Sequence, residues 1–363
     1  MTTLVLHIGS PKTGSSAIQA AIRPARWYQR SGGWCVMPTN PYRNSEPAGC
    51  IAALYEPPEE LPRVWAQLHQ ADPKRFARDV ARYRTLLQRR LQPRWRSKPD
   101  AVFLSSEYLW TFRVALIEQL RRDWIELGIT RFLVIAYVRS PVSFYRSVLQ
   151  QHARLSTGFR RFRPHRWRYR LRQRLEAWHQ VFGDDLIVRP FDRPQLHEGC
   201  VVQDLQQTIH RALPNHSRLP VGCLSAAVNE SVSAEELIAM QEWMQRFPAQ
   251  STDGSLRRSQ ALWRQWQRLH RLRAGGCGTA VTLNATVEQM IQARHQGDLD
   301  WLASNFSVHL PGSEVANSNV AADPPLDTWP EPVSLRDLLN LNLDEPWLEQ
   351  VRGDLARRSL PRE

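Results

Sequence analysis

The sequence predicts an α/β protein: a three-layer α/β/α arrangement around a mainly parallel sheet, with a helical insertion and a C-terminal helical extension. Three observations carry this. The apolar runs Leu4–Leu6, Val102–Leu104, 132–138 and 186–188 are short and rich in β-branched or aromatic residues, as in fully buried strands. Each is followed by turn residues and then by a helical pattern, an alternation that builds βαβ units. With 363 residues, 42% hydrophobic and 23% charged, the chain can bury one large core or two modest ones. The expected layout is one α/β domain over 1–312 and a linker with helical extension over 313–363.

The first element is a strand at Leu4–Leu6, followed by His7-Ile8-Gly9-Ser10-Pro11-Lys12-Thr13-Gly14-Ser15-Ser16. This stretch reads as a tight Gly/Pro turn opening a helix from about Ser15 to Arg23. A strand–loop–helix of this kind aims backbone N–H groups and a positive helix end at one point, which suits a phosphate. Only three of the 48 basic residues are lysines (Lys12, Lys74 and Lys98), and one of them stands in the middle of this loop. A slender ammonium reaches a bridging phosphate oxygen where a planar guanidinium does not fit. The loop is not a Walker A motif. Gly9 and Gly14 have that spacing, but Ser15 follows Gly14 and the lysine lies inside the loop.

The segment 42–98 is an insertion, punctuated by Pro47, Pro57, Pro58, Pro62 and Pro73, with a helical pattern from Arg75 to about Leu91. Such an insertion can shape an acceptor cleft. A strand at Val102–Leu104 follows, and Glu107 sits just past its carboxyl end, where open α/β sheets collect ligands. At that position Glu107 is a candidate functional carboxylate; the competing reading is a glutamate that caps the next helix. His7 and His152 are weaker candidates, each expected to serve packing or hydrogen bonding.

The run 132–138 gives the next strand. Ser140 has the properties of an N-cap and Pro141 those of a first helical residue, for a helix through about Ala153. Arg139 ends the strand, and Ser147 falls near the end of the helix's second turn. Further on, 175–182 reads as a helix, Gly183 as its stop and 186–190 as a strand. Ser233 is expected to cap a helix whose first turn holds Glu235 and Glu236.

These motifs resemble those of sulfotransferases that use 3′-phosphoadenosine 5′-phosphosulfate, a P-loop-like fold, in their bacterial carbohydrate-type form. Lys12-Thr13-Gly14-Ser15-Ser16 is similar to the family's 5′-phosphosulfate loop. The pair Arg139 and Ser147 is similar to its 3′-phosphate motif. Trp178-His179-Gln180-Val181-Phe182-Gly183, the Val188-Arg189-Pro190-Phe191 strand and Asn229-Glu230-Ser231-Val232-Ser233 also resemble the family, so the likeness spans about residues 3–305. The resemblance implies cofactor contacts from Pro11, Lys12, Thr13, Gly14, Ser15, Ser16, Arg139 and Ser147, with Lys12 and Glu107 catalytic. It implies sulfuryl transfer to a hydroxyl acceptor, a glycan or glycoconjugate, with 3′,5′-ADP as product. Two departures stand out. Ala17 replaces the tryptophan that stacks on adenine in many cytosolic relatives, and no Arg-Lys-Gly loop occurs late in the chain.

The formal net charge of +13 is concentrated: Arg131 to Leu175 holds twelve arginines and no acid. Eight of these lie between Arg160 and Arg174, interleaved with Phe162, His165, Trp167 and Tyr169. The Arg-rich segment, 158–175, reads as a solvated basic helix, as a funnel for an anionic cofactor or glycan, or, less favoured, as a nucleic-acid surface. The other function classes left open are a nucleotide or small-molecule kinase on the same loop, and a non-catalytic binder of nucleic acid or acidic glycan through 160–174.

No run approaches the roughly 20 apolar residues of a membrane span, and the N-terminus lacks a basic-then-apolar export pattern, so a cytoplasmic protein is expected. Five scattered cysteines without C-x-x-C spacing, and no H-E-x-x-H, point away from disulfides and bound metal. After about Pro311 a linker through Pro332 leads to two short helical patterns. One starts at Ser334 and presents Leu335, Leu338 and Leu339; the other starts near Pro346 and presents Trp347, Leu348, Val351 and Leu355. Each has one apolar face able to dock on the main domain or on another copy.

Overall fold

The computed structural model describes residues 2–22, 33–37, 49–57, 59–61, 63–91, 99–222, 232–246, 278–311 and 333–356. The expected linker, Asn229–Ser231, Cys223 and Cys277 lie outside the described residues.

The sheet has five strands, all parallel, in the order β2-β3-β1-β4-β5. The strands are β1 Thr3–His7, β2 Trp34–Val36, β3 Ala101–Ser105, β4 Arg131–Val138 and β5 Leu186–Pro190. The central strand β1 pairs with β3 on one side and β4 on the other, with His7 opposite Ser105 and Ile135. Between the strands run α1 (Ser15–Ile22), α2 (Gly49–Ala52), α3 (Arg63–Ala71), α4 (Pro73–Leu91), α5 (Val114–Glu126), α6 (Pro141–Ala153) and α7 (Leu171–Phe182). Then follow α8 (Val201–Ala212) and α9 (Ala234–Arg246), and helices at Ala285–Phe306, Leu335–Leu338 and Glu345–Ala356.

Successive side chains of a strand point to opposite faces, and the sheet is covered on both. Leu133, Ile135 and Tyr137 of β4 share a buried cluster with Ile18 and Ile22 of α1 and Leu205 and Ile209 of α8. Phe132, on the other face, meets Phe182 of α7 at 5.3 Å between ring centroids. The strands are buried on both sides, which is why they read as unbroken apolar runs.

The strand-to-helix junctions form as the sequence directs. The Ser140 hydroxyl accepts the Ser143 N–H, with Pro141 in the first turn of α6. Ser233 and Glu236 cap α9 reciprocally: the Ser233 hydroxyl accepts the Glu236 N–H, and the Glu236 carboxylate accepts the Ser233 N–H.

The chain folds into two compact units. The first draws on Met1–Arg139, Arg170–Val228 and Asp298–Pro311, and contains the sheet. The second draws on Ser140–Tyr169, Asn229–Gly297 and Gly312–Glu363. Its core joins Tyr145 and Leu149 of α6, Leu237 and Met240 of α9, and the buried faces of the two C-terminal helices. Leu335, Leu338, Leu339, Leu348, Val351 and Leu355 are all buried there. Glu242 of α9 accepts from Arg336 at 2.9 Å and from Arg352 at 2.7 Å, securing both helices to α9. The apolar faces of the extension thus dock within the chain.

The Arg-rich segment is not one basic helix. It makes a short 3-10 turn at Arg160–Phe162, then bends, and α7 starts only at Leu171. Phe162 and Tyr169 are buried, and Trp167 packs edge-on against Tyr145 at 5.0 Å. The rings that a nucleic-acid surface would use to stack bases are core residues of the second unit.

Among the described residues no helix is long and apolar enough to cross a membrane, no cluster of ligating side chains suits a metal ion, and neither Cys35 nor Cys200 is in a disulfide.

Candidate active site

Three neighbouring strands, β3, β1 and β4, deliver Glu107, the Lys12 loop and Arg139 just beyond their carboxyl ends. That is the crevice in which doubly wound sheets bind ligands.

The loop is held to β4 beyond the end of β1. The Ile8 N–H donates to the Ile135 carbonyl at 3.0 Å, and the Ser10 N–H to the Tyr137 carbonyl at 3.2 Å. The Thr13 hydroxyl donates to the Ser10 carbonyl at 2.5 Å, so that side chain closes the loop on itself. Lys12 has φ +66° and Gly14 φ +82°. Left-handed backbone at a lysine carries a local cost. The Gly14 carbonyl accepts from the Ala17 and Ile18 N–H groups and starts α1.

Gly14 has a second reason to be glycine. A β-carbon there would come within 2.9 Å of Phe191 Cε2 and of Val201 Cγ1. Neither Phe191 nor Val201 is singled out by the sequence for this role. Phe191 follows β5, its N–H donates to the Val138 carbonyl at 2.6 Å, and its half-buried ring lies 5.6 Å from the Arg139 guanidinium carbon.

Arg139 donates from Nη1 to the Lys12 carbonyl at 3.2 Å. The two expected anion grips, at residues 12 and 139, are therefore in direct contact. Both side chains are half-buried. Pro11 is half-buried and Ser16 exposed, while Ser15 is buried with its Oγ unpartnered among the described residues. A buried hydroxyl without a partner at the start of a helix fits an anion-binding loop. Ser147 lies half-buried on α6, in the second unit, whereas Lys12, Glu107 and Arg139 belong to the first.

Glu107 is the first residue of a 3-10 turn, Glu107–Thr111, that directly follows β3. Neither that turn nor α5 has a side-chain capping bond, so Glu107 does not serve as a cap. Burial pushes the Glu107 carboxyl above the usual glutamate range, and the nearby Lys12 ammonium pulls it back. Desolvation makes this carboxyl a better proton acceptor than an exposed one, and the ammonium beside it moderates the effect.

The two histidines play supporting parts. His7 is fully buried, shares a 2.8 Å hydrogen bond between Nδ1 and the Ser105 hydroxyl, and is held neutral by burial, its pKa lowered to about 3. His152 Nε2 hydrogen-bonds the Gly158 carbonyl at 2.6 Å. A carbonyl only accepts, so Nε2 carries the proton and Nδ1 accepts from Arg161.

Beneath the site, Asp204 of α8 accepts from Arg189 at 2.6 and 3.1 Å, from the Tyr137 hydroxyl at 2.7 Å and from the His197 N–H at 2.9 Å. This buried network fixes α8, and with it Val201, against β4 and β5.

Compared with known proteins, the chain matches no family model, no curated protein and no solved structure.

Proposed function

We propose that this protein is a sulfotransferase of the P-loop-like type, moving a sulfuryl group from 3′-phosphoadenosine 5′-phosphosulfate to a hydroxyl of a carbohydrate acceptor. The observation that supports the reading is the 3.2 Å bond from Arg139 to the Lys12 main-chain carbonyl, which brings the two residues expected to grip the nucleotide next to each other. The donor set fits such a ligand: an ammonium, a guanidinium, the Ser15 hydroxyl, unpartnered among the described residues, and a helix N-terminus. The lysine's place within the loop favours this donor over ATP, and so speaks against a kinase.

When bound, the donor supplies a sulfuryl group on a phosphate leaving group. Lys12, with Gly14, Ser15, Ser16 and the loop N–H groups, holds the 5′-phosphosulfate. Arg139 holds the 3′-phosphate, which distinguishes the ligand from ATP. Glu107 accepts the hydroxyl proton of the acceptor while the acceptor oxygen bonds to sulfur. Lys12 stabilises the charge left on the phosphate oxygen as its bond to sulfur breaks. Positioning and fixed charge do most of the work in such a transfer.

The test compares Lys12→Ala with Glu107→Gln for turnover and for 3′,5′-ADP affinity. Both variants lose turnover, on the order of 100-fold or more for the glutamine, and only Lys12→Ala markedly weakens 3′,5′-ADP. Equal loss of nucleotide affinity in the two removes Glu107 from the base role.

A further inference from the structure

The 3-10 turn that begins with Glu107 is gripped from two sides. From the insertion, Tyr55 packs edge-on against Phe112 at 5.9 Å, and Glu60 receives both a 2.8 Å and a 2.9 Å bond from Arg113. From α7, the Arg174 guanidinium donates to the carbonyl of Thr111, the last residue of the turn, at 2.5 Å. A five-residue 3-10 turn rises by about 2 Å per residue, which places this anchor roughly 8 Å along the turn from Glu107.

Arg174 is not alone there. Arg170 stands one helical turn earlier, its carbonyl accepting the Arg174 N–H at 3.1 Å, and its side chain is exposed. Two guanidiniums one turn apart repel each other. Among the described residues neither makes an ion pair within 4 Å, unlike Arg113 with Glu60 and Arg172 with Glu176. Among the described residues the one acid that acts on Arg174 is Glu56, whose carboxyl burial and the neighbouring Glu60 push up to about 7. Near neutral pH, Glu56 is then about half protonated and leaves the pair under-compensated.

We propose that Arg170 and Arg174 form an acceptor-side anion subsite next to Glu107, so that the hydroxyl acceptor carries a carboxylate or sulfate: an acidic saccharide. This rests on the sulfuryl-transfer reading for Glu107 and adds the substrate class. Planar guanidiniums grip carboxylate and sulfate through paired N–H donors, and a distance of several ångströms from the base suits a charged group beside the reacting hydroxyl. The spare positive charge draws an acidic chain in and leaves a neutral one unassisted.

The experiment measures binding of a uronate-containing hexasaccharide and of neutral maltohexaose to the full chain with 3′,5′-ADP present. The acidic sugar binds at least tenfold more tightly. Arg170→Gln and Arg174→Gln each weaken it severalfold and together about tenfold, whereas Arg172→Gln, two residues from each of them, leaves it unchanged. The melting shift given by 3′,5′-ADP stays intact in all of them. Arg170→Gln keeps the test sharp if loss of the Thr111 contact unfolds Arg174→Gln. Equal binding of the two sugars, or an Arg172→Gln loss as large as that of Arg170→Gln, overturns the subsite. Failure of 3′,5′-ADP to stabilise the wild-type chain overturns instead the nucleotide reading beneath it.

Discussion

The Arg139 guanidinium donates a hydrogen bond to the main-chain carbonyl of Lys12, 3.2 Å away. Residues 127 positions apart are thereby locked into one corner of the sheet, at the tips of the adjacent strands β1 and β4. The bond ties the planar guanidinium to the main chain of the loop.

Replacement of Arg139 therefore removes selectivity as well as affinity. Arg139→Ala narrows the preference for 3′,5′-ADP over 5′-AMP by roughly 10- to 100-fold, the scale of one or two charge-assisted bonds. Arg139→Lys does not restore it, since an ammonium lacks the forked geometry. Calorimetric titration with the two nucleotides reads the ratio directly.

Gly14→Ala combines two penalties: an alanine at φ +82° and a methyl driven to 2.9 Å from Phe191 and Val201. The expected loss is about 1–3 kcal/mol of stability, with weaker 3′,5′-ADP binding as the loop shifts. Denaturant melts check the first and titration the second. Phe191→Ala in the Gly14→Ala background relieves part of the loss, because it removes one of the two clashing atoms.

In the proposed role of base Glu107 acts only when ionised, and burial raises its carboxyl above the usual range. The rate then falls on the acid side, through a pKa higher than that of an ordinary glutamate. Lys12 holds that pKa down, so the residual activity of Lys12→Gln shows its acid limb at higher pH. Profiles of kcat/KM against pH for the two proteins make the comparison. The same shift has a cost for folding. A carboxyl with a raised folded-state pKa contributes stability below its unfolded pKa and loses it as pH rises through the folded value. Glu107→Gln accordingly melts higher than wild type at pH 8 and not at pH 4.

Asp204 shows the opposite sign. Burial alone would raise its carboxyl, but bonds from Arg189, the His197 N–H and the Tyr137 hydroxyl hold it below the usual range. Its contribution is present above the unfolded carboxylate pKa and is lost as pH falls through the lowered folded value. Asp204→Ala leaves the Arg189 charge unpaired and costs about 3 kcal/mol near neutral pH, a deficit that shrinks in strong acid. Melts of variant and wild type across pH 2–7 follow it.

Much of this architecture is legible in the residues themselves. Local rules suffice where the signal is local: Ser140 and Pro141 mark the start of α6, Gly183 the end of α7, and the run 132–138 the buried strand β4. The edge strand β2 is harder to see, because three residues, Trp34–Val36, give too short a pattern to separate from a loop. The packing of Phe191 and Val201 behind Gly14 is invisible in the sequence, since it depends on β5 and α8 returning to the loop from nearly 180 residues away. The Arg160–Arg168 stretch misleads for a related reason. Its composition suggests a solvated basic helix, yet Phe162 and Tyr169 find a tertiary core and break the helix into short turns. For Glu107, strand-end position is readable, whereas the desolvation that tunes it comes from burial that no local pattern encodes.

The most direct measurement is the melting temperature of the purified chain with 3′,5′-ADP, with ATP and with 5′-AMP, each at the same millimolar concentration. A ligand at 100 times its Kd adds about 2.7 kcal/mol to the stability of the fold that binds it. A site for 3′,5′-ADP at the Lys12 loop predicts a clear rise with that nucleotide, little with the other two, and loss of that rise in Lys12→Ala. A larger, magnesium-dependent rise with ATP, or no response to 3′,5′-ADP at all, contradicts it.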